Sequence, residues 1–97
     1  MNKDLKTYRL IIKGKVQGVG FRYWFSKLAI SLNLNGYVLN KKNINQVEAI
    51  IQGNMQNILN MEKKSKTGPE LALVEEVISN KIFSDVKYKN FIVKWDN

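Results

Sequence analysis

Apolar residues fall along this chain in two periods. Over residues 7–13, Tyr8, Leu10 and Ile12 alternate with Arg9, Ile11 and Lys13, the two-residue rhythm of a strand with one face toward a core. From residue 21 the steps lengthen to three and four. Phe21, Trp24, Phe25, Leu28, Ala29 and Leu32 then share one broad stripe, which predicts a core-facing helix ending between Asn33 and Gly36. A second strand is expected over Tyr37–Asn40, a polar turn over Lys41–Asn45, and a third strand in which Val47, Ala49 and Ile51 alternate with Glu48, Ile50 and Gln52; together they read as a hairpin. Asn54 suits the cap of a second helix with Met55, Ile58 and Leu59 inward and Lys63, Lys64 and Lys66 near its negative end. Gly68-Pro69 stops it. Leu71 to Phe83 reads as a strand bulged around Glu75 and Glu76, and Phe91, Val93 and Trp95 mark a last strand.

The element order is βαββαβ plus a C-terminal strand. It predicts the α+β class: a ferredoxin-like two-layer sandwich with two helices on one face of an antiparallel sheet. No linker, internal repeat or low-complexity segment interrupts residues 1–97, which read as one domain. A domain of this size buries roughly 60–65% of the surface its unfolded chain exposes, enough for one core and too little for a deep multi-substrate cleft.

Between the first strand and the first helix lies Gly14-Lys15-Val16-Gln17-Gly18-Val19-Gly20-Phe21-Arg22. Glycines at 14, 18 and 20 permit positive φ and let successive N–H groups converge on one anion. The helix start adds unpaired N–H groups and a positive dipole end, and the planar fork of Arg22 can take two oxyanion oxygens at once. As a glycine pattern this fits neither the Walker loop, which needs Gly-Lys-Ser/Thr, nor the dinucleotide fingerprint, which needs glycine where Tyr23 stands. A plain strand-to-helix turn has the same spacing. Arginine usage favours the anion site, since the chain has fourteen lysines and two arginines and one arginine falls here; lysine lacks the fork.

Composition narrows the chemistry. With no cysteine and no histidine, covalent phosphoenzyme routes through either residue are excluded. The carboxylates at 4, 48, 62, 70, 75, 76, 85 and 96 show no metal-ligand spacing, so no metal and no cofactor is expected. A site without nucleophile, metal or general acid needs a leaving group that departs readily as an anion. A carboxylic–phosphoric anhydride meets that condition and an ordinary phosphate ester does not. Such a site could equally bind without turnover.

As a whole, Gly-Lys-Val-Gln-Gly-Val-Gly-Phe-Arg resembles the signature of the acylphosphatases, small enzymes that hydrolyse carboxyl–phosphate bonds. Asn35-Gly36-Tyr37-Val38-Leu39-Asn40 is similar to the family's Gly-aromatic-Val-x-Asn segment, Gln46-Val47-Glu48 to its third strand, and Gly68-Pro69 with Ala72, Val74 and Val77 to its fourth, so that residues 7 to 95 are covered. The resemblance implies that Arg22 binds the phosphoryl group, that the backbone of Val16, Gln17, Gly18, Val19, Gly20, Phe21 and Arg22 cradles it, and that Asn40 holds the attacking water. The substrate it implies is a small acyl phosphate, with inorganic phosphate as product. The turn between Asn40 and Val47 departs from the family: it is one residue longer, lacks the glycine, and has Gln46 where Ser or Thr is common. Asn45 is then the residue expected to take the left-handed conformation.

A net charge of +8 keeps nucleic acid open as a partner, because RNA-recognition domains share this element order. Against it, the predicted open face carries Arg9, Ile11, Lys13, Glu48, Ile50 and Gln52 with no stacking aromatic, and the lysines are spread along the chain. A carrier domain that binds phosphate without turnover, as within hydrogenase-maturation carbamoyltransferases, is a further reading. Asn40 separates the two, since a pure binder has no need of a water-orienting amide. No apolar run nears the roughly 18 residues of a membrane span, and no exporting segment is recognised. A cytoplasmic monomer without specific nucleic-acid or membrane partners is the expectation.

Overall fold

The computed structural model describes residues 5–95; Asp4 and Asp96, two of the carboxylates counted above, lie outside them. The elements are β1 (Lys6–Lys15), α1 (Phe21–Ser31), β2 (Asn35–Asn40), β3 (Gln46–Gly53), α2 (Met55–Ser65), β4 (Leu73–Lys81) and β5 (Phe91–Lys94). The strands form one sheet in the order β4-β1-β3-β2-β5. Pairings β1·β3, β1·β4 and β2·β3 are antiparallel. β5 instead runs parallel to β2, so the ferredoxin-like sheet is mixed rather than wholly antiparallel. Parallel pairing follows from the path: β4 and β5 sit at opposite edges, and the chain must cross the sheet between them.

Leu10, Ile12, Val38, Val47, Ala49 and Ile51 are buried under the helices, where Phe21, Phe25, Ala29, Ile58 and Met61 meet them. This is the alternation expected from the sequence. Fully burying a side chain such as Phe25 is worth about 1.5–3 kcal/mol. Trp24, Leu28 and Leu32 pack partly buried against the same cluster, so the whole α1 stripe is core. On α2 the inward residues are Ile58, Met61 and Ser65. Leu59 is 47% exposed, contrary to expectation; at 100° per residue the stripe defined by Ile58 continues through Met61 and Ser65 and leaves Leu59 on its flank.

α1 ends as predicted near Asn33, which stands at φ 58. The N–H groups of Asn33 and Leu34 donate to Ile30 O and Ala29 O, the two bonds of a Schellman turn. The expected bulge is present. Lys13 pairs with Glu76 and Gly14 with Val74, so Glu75 is the extra residue.

The far face of the sheet is less open than the sequence implies. Ile11, Ile50 and Gln52 are buried there, because the segment between β4 and β5 crosses it. Gln52 fastens that segment: its Nε2 donates to Thr7 Oγ1 at 2.9 Å and Val86 O at 2.8 Å, and its Oε1 accepts from Tyr88 N at 2.9 Å. Asn35 Nδ2 donates to Tyr88 O at 3.1 Å. Tyr37 lies against Tyr88, and burial, reinforced by Glu48, pushes its phenol pKa above the ordinary value. Among the described residues no helix is long and apolar enough to cross a membrane.

Candidate active site

β1 and β2 each run opposite to β3, and β5 runs with β2. β1, β2 and β5 therefore point the same way and finish at the same end of the sheet. The Val16–Gly20 loop leaves the end of β1, Asn40 closes β2, and Trp95 follows β5 by one residue. α1 starts at that end and runs back over β2 and β5, against which it packs. Val38 and Val93 are register partners facing the core. Two residues on, Asn40 and Trp95 occupy the next positions on the helix-facing side of neighbouring strands.

These pieces enclose a cavity of about 270 Å³. From the loop and α1 it is lined by Val16, Gly18, Gly20, Phe21, Arg22 and Tyr23; from the strand ends, by Asn40, Val93 and Trp95. Gly18 and Gly20 have φ of 74 and 77, a region other residues seldom enter. A Cβ at either would meet nothing within 4 Å, so backbone conformation and not crowding calls for glycine. Gly20 is also the N-cap of α1. It offers no side chain to the first turn, which holds no acidic residue, and the N–H groups there are left for another acceptor.

Arg22 is held from two sides. Its guanidinium carbon lies 4.4 Å from the centroid of the Trp95 ring, and its Nη1 donates to Lys94 O at 3.0 Å. Stacking occupies the face of the fork and one of five N–H groups is spent on the carbonyl; the remaining edge donors stay available. Trp95 is itself 75% exposed.

Of the sequence-expected residues, the structure brings Val16, Gly18, Gly20, Phe21, Arg22 and Asn40 to one cavity. The side chains of Gln17 and Val19 are elsewhere. Val19 packs on the core, and Gln17 reaches the turn after Asn40. Sequence reasoning missed Trp95 and the Lys94 carbonyl as the clamp on Arg22. The period-two run Phe91, Val93, Trp95 does place Trp95 on the same side as the core, and that signal was available.

The turn also corrects one expectation. Asn33 is the one non-glycine residue with positive φ among the described residues, so Asn45 is not left-handed. The extra residue lets the turn close with ordinary torsions, stabilised where Asn45 N donates to Asn43 Oδ1 at 3.0 Å and Gln46 N to Asn43 O at 3.0 Å. Among the described residues no group of three or more His, Cys, Asp or Glu is placed to hold a metal ion.

Comparison with known proteins identifies the family. An acylphosphatase of Bordetella parapertussis is 37% identical over 90% of this chain and 92% of its own length. The solved structure of an acylphosphatase from Coxiella burnetii superposes with a TM-score of 0.90 at 31% identity, covering 96% of both chains. Full-length HypF, in its phosphate- and nucleotide-bound form, contains a similar unit: TM-score 0.85 and 26% identity over 95% of this chain but 12% of that one. The acylphosphatase family model matches residues 8–93, and the chain belongs to the acylphosphatase family.

Proposed function

We propose that Arg22 and the backbone N–H groups of residues 16–22 hold the phosphoryl group while the Asn40 side chain holds the water that attacks it. The enzyme hydrolyses acyl phosphates to carboxylate and inorganic phosphate. In that reaction the water oxygen bonds to phosphorus, the bond from phosphorus to the acyl oxygen breaks, and the electron pair leaves with the carboxylate. The water's two protons end on the phosphate. Negative charge on the phosphoryl oxygens faces N–H donors already in place, so little reorganisation is needed as the reaction proceeds.

The observation that carries this reading is the meeting of an uncapped helix start, two positive-φ glycines, Arg22 and Asn40 at one cavity. Arg22 is a donor without an acidic partner among the described ion pairs, as an oxyanion site requires. Asn40 cannot supply a proton; its carbonyl accepts a hydrogen bond from water and aims it in line with the departing carboxylate. The lining holds no carboxylate, histidine or cysteine, and among the described residues no metal-ligand cluster is placed there; in this reading the leaving group departs unprotonated, and we take the reaction to be metal-independent.

The test is hydrolysis of acetyl and benzoyl phosphate beside an alkyl phosphate monoester, with and without a strong chelator. Acyl phosphates alone should react, at a rate the chelator leaves unchanged. Asn40→Ala should keep inorganic phosphate as a competitive inhibitor and lose nearly all turnover. Equal losses of phosphate affinity and kcat would make Asn40 a structural residue of the strand end.

A further inference from the structure

Gln17 is not among the residues lining the cavity; its side chain spans from the loop to the turn that follows Asn40. Its Nε2 lies 2.9 Å from Lys41 O, 2.8 Å from Gln46 O and 3.2 Å from Asn43 O. An amide nitrogen has two N–H groups, so three carbonyl oxygens share two donors. All three belong to the segment that begins where Asn40 ends.

That segment has few other anchors. Residues 42–45 are exposed. Lys41 N to Gln46 O, Gln46 N to Asn43 O and Asn45 N to Asn43 Oδ1 are internal to the turn. Gly14 N to Asn45 O, at 2.9 Å, ties the turn to β1. Gln17 supplies the ties to the loop itself. On the loop side the backbone runs directly between β1 and α1, whose ladder and core packing fix both ends.

We propose that Gln17 is a positioning residue that sets the distance between Asn40 and the 16–22 backbone, and thereby between attacking water and phosphoryl group. Its side chain touches no reacting atom. The lengthened turn gives this tie its purpose: without glycine or a left-handed Asn45 to pin the hairpin, the carbonyls of residues 41, 43 and 46 are gathered by one external amide. This inference rests on the role assigned to Asn40 above.

The test compares wild type, Gln17→Met, Asn40→Ala and the double variant, using acetyl phosphate turnover and competitive inhibition by inorganic phosphate. Methionine keeps the length of the side chain and the loop N–H, and removes both donors. The expected result for Gln17→Met is a loss of about tenfold or more in kcat, since ångström-scale misplacement costs up to about a hundredfold, with phosphate inhibition within about threefold of wild type. The double variant should be no slower than Asn40→Ala alone, because Gln17 acts through Asn40. Gln17→Glu, which turns a carboxylate toward the same carbonyls, should be slower than Gln17→Met; if the methionine variant does not fold, Gln17→Asn carries the comparison. An unchanged kcat in Gln17→Met, a joint loss of kcat and phosphate affinity, or a full additive loss on top of Asn40→Ala would overturn the inference. A wild type inert toward acyl phosphates, or a fully active Asn40→Ala, would overturn the underlying reading instead.

Discussion

The two helices have the same length, eleven residues each, and lie on the same face of the sheet, yet their ends are built in opposite ways. α2 is finished for stability: Asn54 accepts a hydrogen bond from Asn57 N, and Lys63 and Lys64 stand in its last turn. α1 has glycine at its N-cap, no acid in its first turn, no base in its last, and a cation, Arg22, at its positive end. Each omission leaves roughly 0.3–1 kcal/mol of dipole complementarity unused. α1 is held instead by packing, with Phe21, Phe25 and Ala29 buried. The difference teaches that the start of α1 is left without a side-chain cap or an acidic residue of its own, which is what the proposed phosphate site requires.

The hardest blow to this contrast is delivered at Arg22. Both Arg22→Ala and Arg22→Lys should lower kcat/KM for acetyl phosphate by one to two powers of ten or more, as charge-assisted hydrogen bonds of about 1.5–3 kcal/mol each are lost. Stability should hold, since a cation is removed or merely changed at the positive end. A nearly active lysine variant would show that the fork is not needed. Giving α1 the cap it lacks is the next sharpest probe. Gly20→Asp places a carboxylate where the substrate's charge belongs and should weaken phosphate inhibition about tenfold more than Gly20→Asn, which has the same shape and equal tolerance of positive φ. Equal effects from the two would remove the electrostatic part of the argument.

At α2 the same operations should touch only folding. Asn54→Ala should cost about 1 kcal/mol in denaturant unfolding while kcat per folded molecule stays at the wild-type value. Lys64→Glu should cost less, about 0.3–1 kcal/mol, and the loss should shrink at high salt as surface charge is screened. A change in phosphate affinity from either substitution would mean that the two helices do not divide their duties.

How much of this was legible depends on which forces the feature answers to. The strands, the α1 stripe, the Asn54 cap and the bulge at Glu75 answer to local periodicity and turn chemistry, and all are visible in the sequence. Gly18, Gly20 and Arg22 mark the loop that borders the cavity, because each is an unusual choice for a plain turn. Leu59 was placed inward because neighbouring apolar residues on a short helix cannot be ranked by period alone. The crossing of residues 82–90 leaves no periodic mark; its evidence is Gln52, a buried amide whose partners are 34 and 36 positions away. Gln17 is illegible for the same reason, because a side chain that bonds to carbonyls selects no partner residue type.

The clamp on Arg22 ties the first turn of α1 to the last strand, 72 positions downstream. In kinetic terms the site is among the most non-local structures in the protein, comparable with the pairing of β1 and β4. The loop, α1 and the β2–β3 hairpin involve short loop closures, whereas β5 must wait for the chain to cross the sheet and dock in parallel beside β2. Recovery of activity on refolding should therefore track the docking of β5, followed by the burial of Phe91, rather than the earlier formation of helix. A ribosome-bound chain that has not yet released Lys94 and Trp95 would carry every residue of the proposed phosphate cradle and still lack the clamp that orders Arg22.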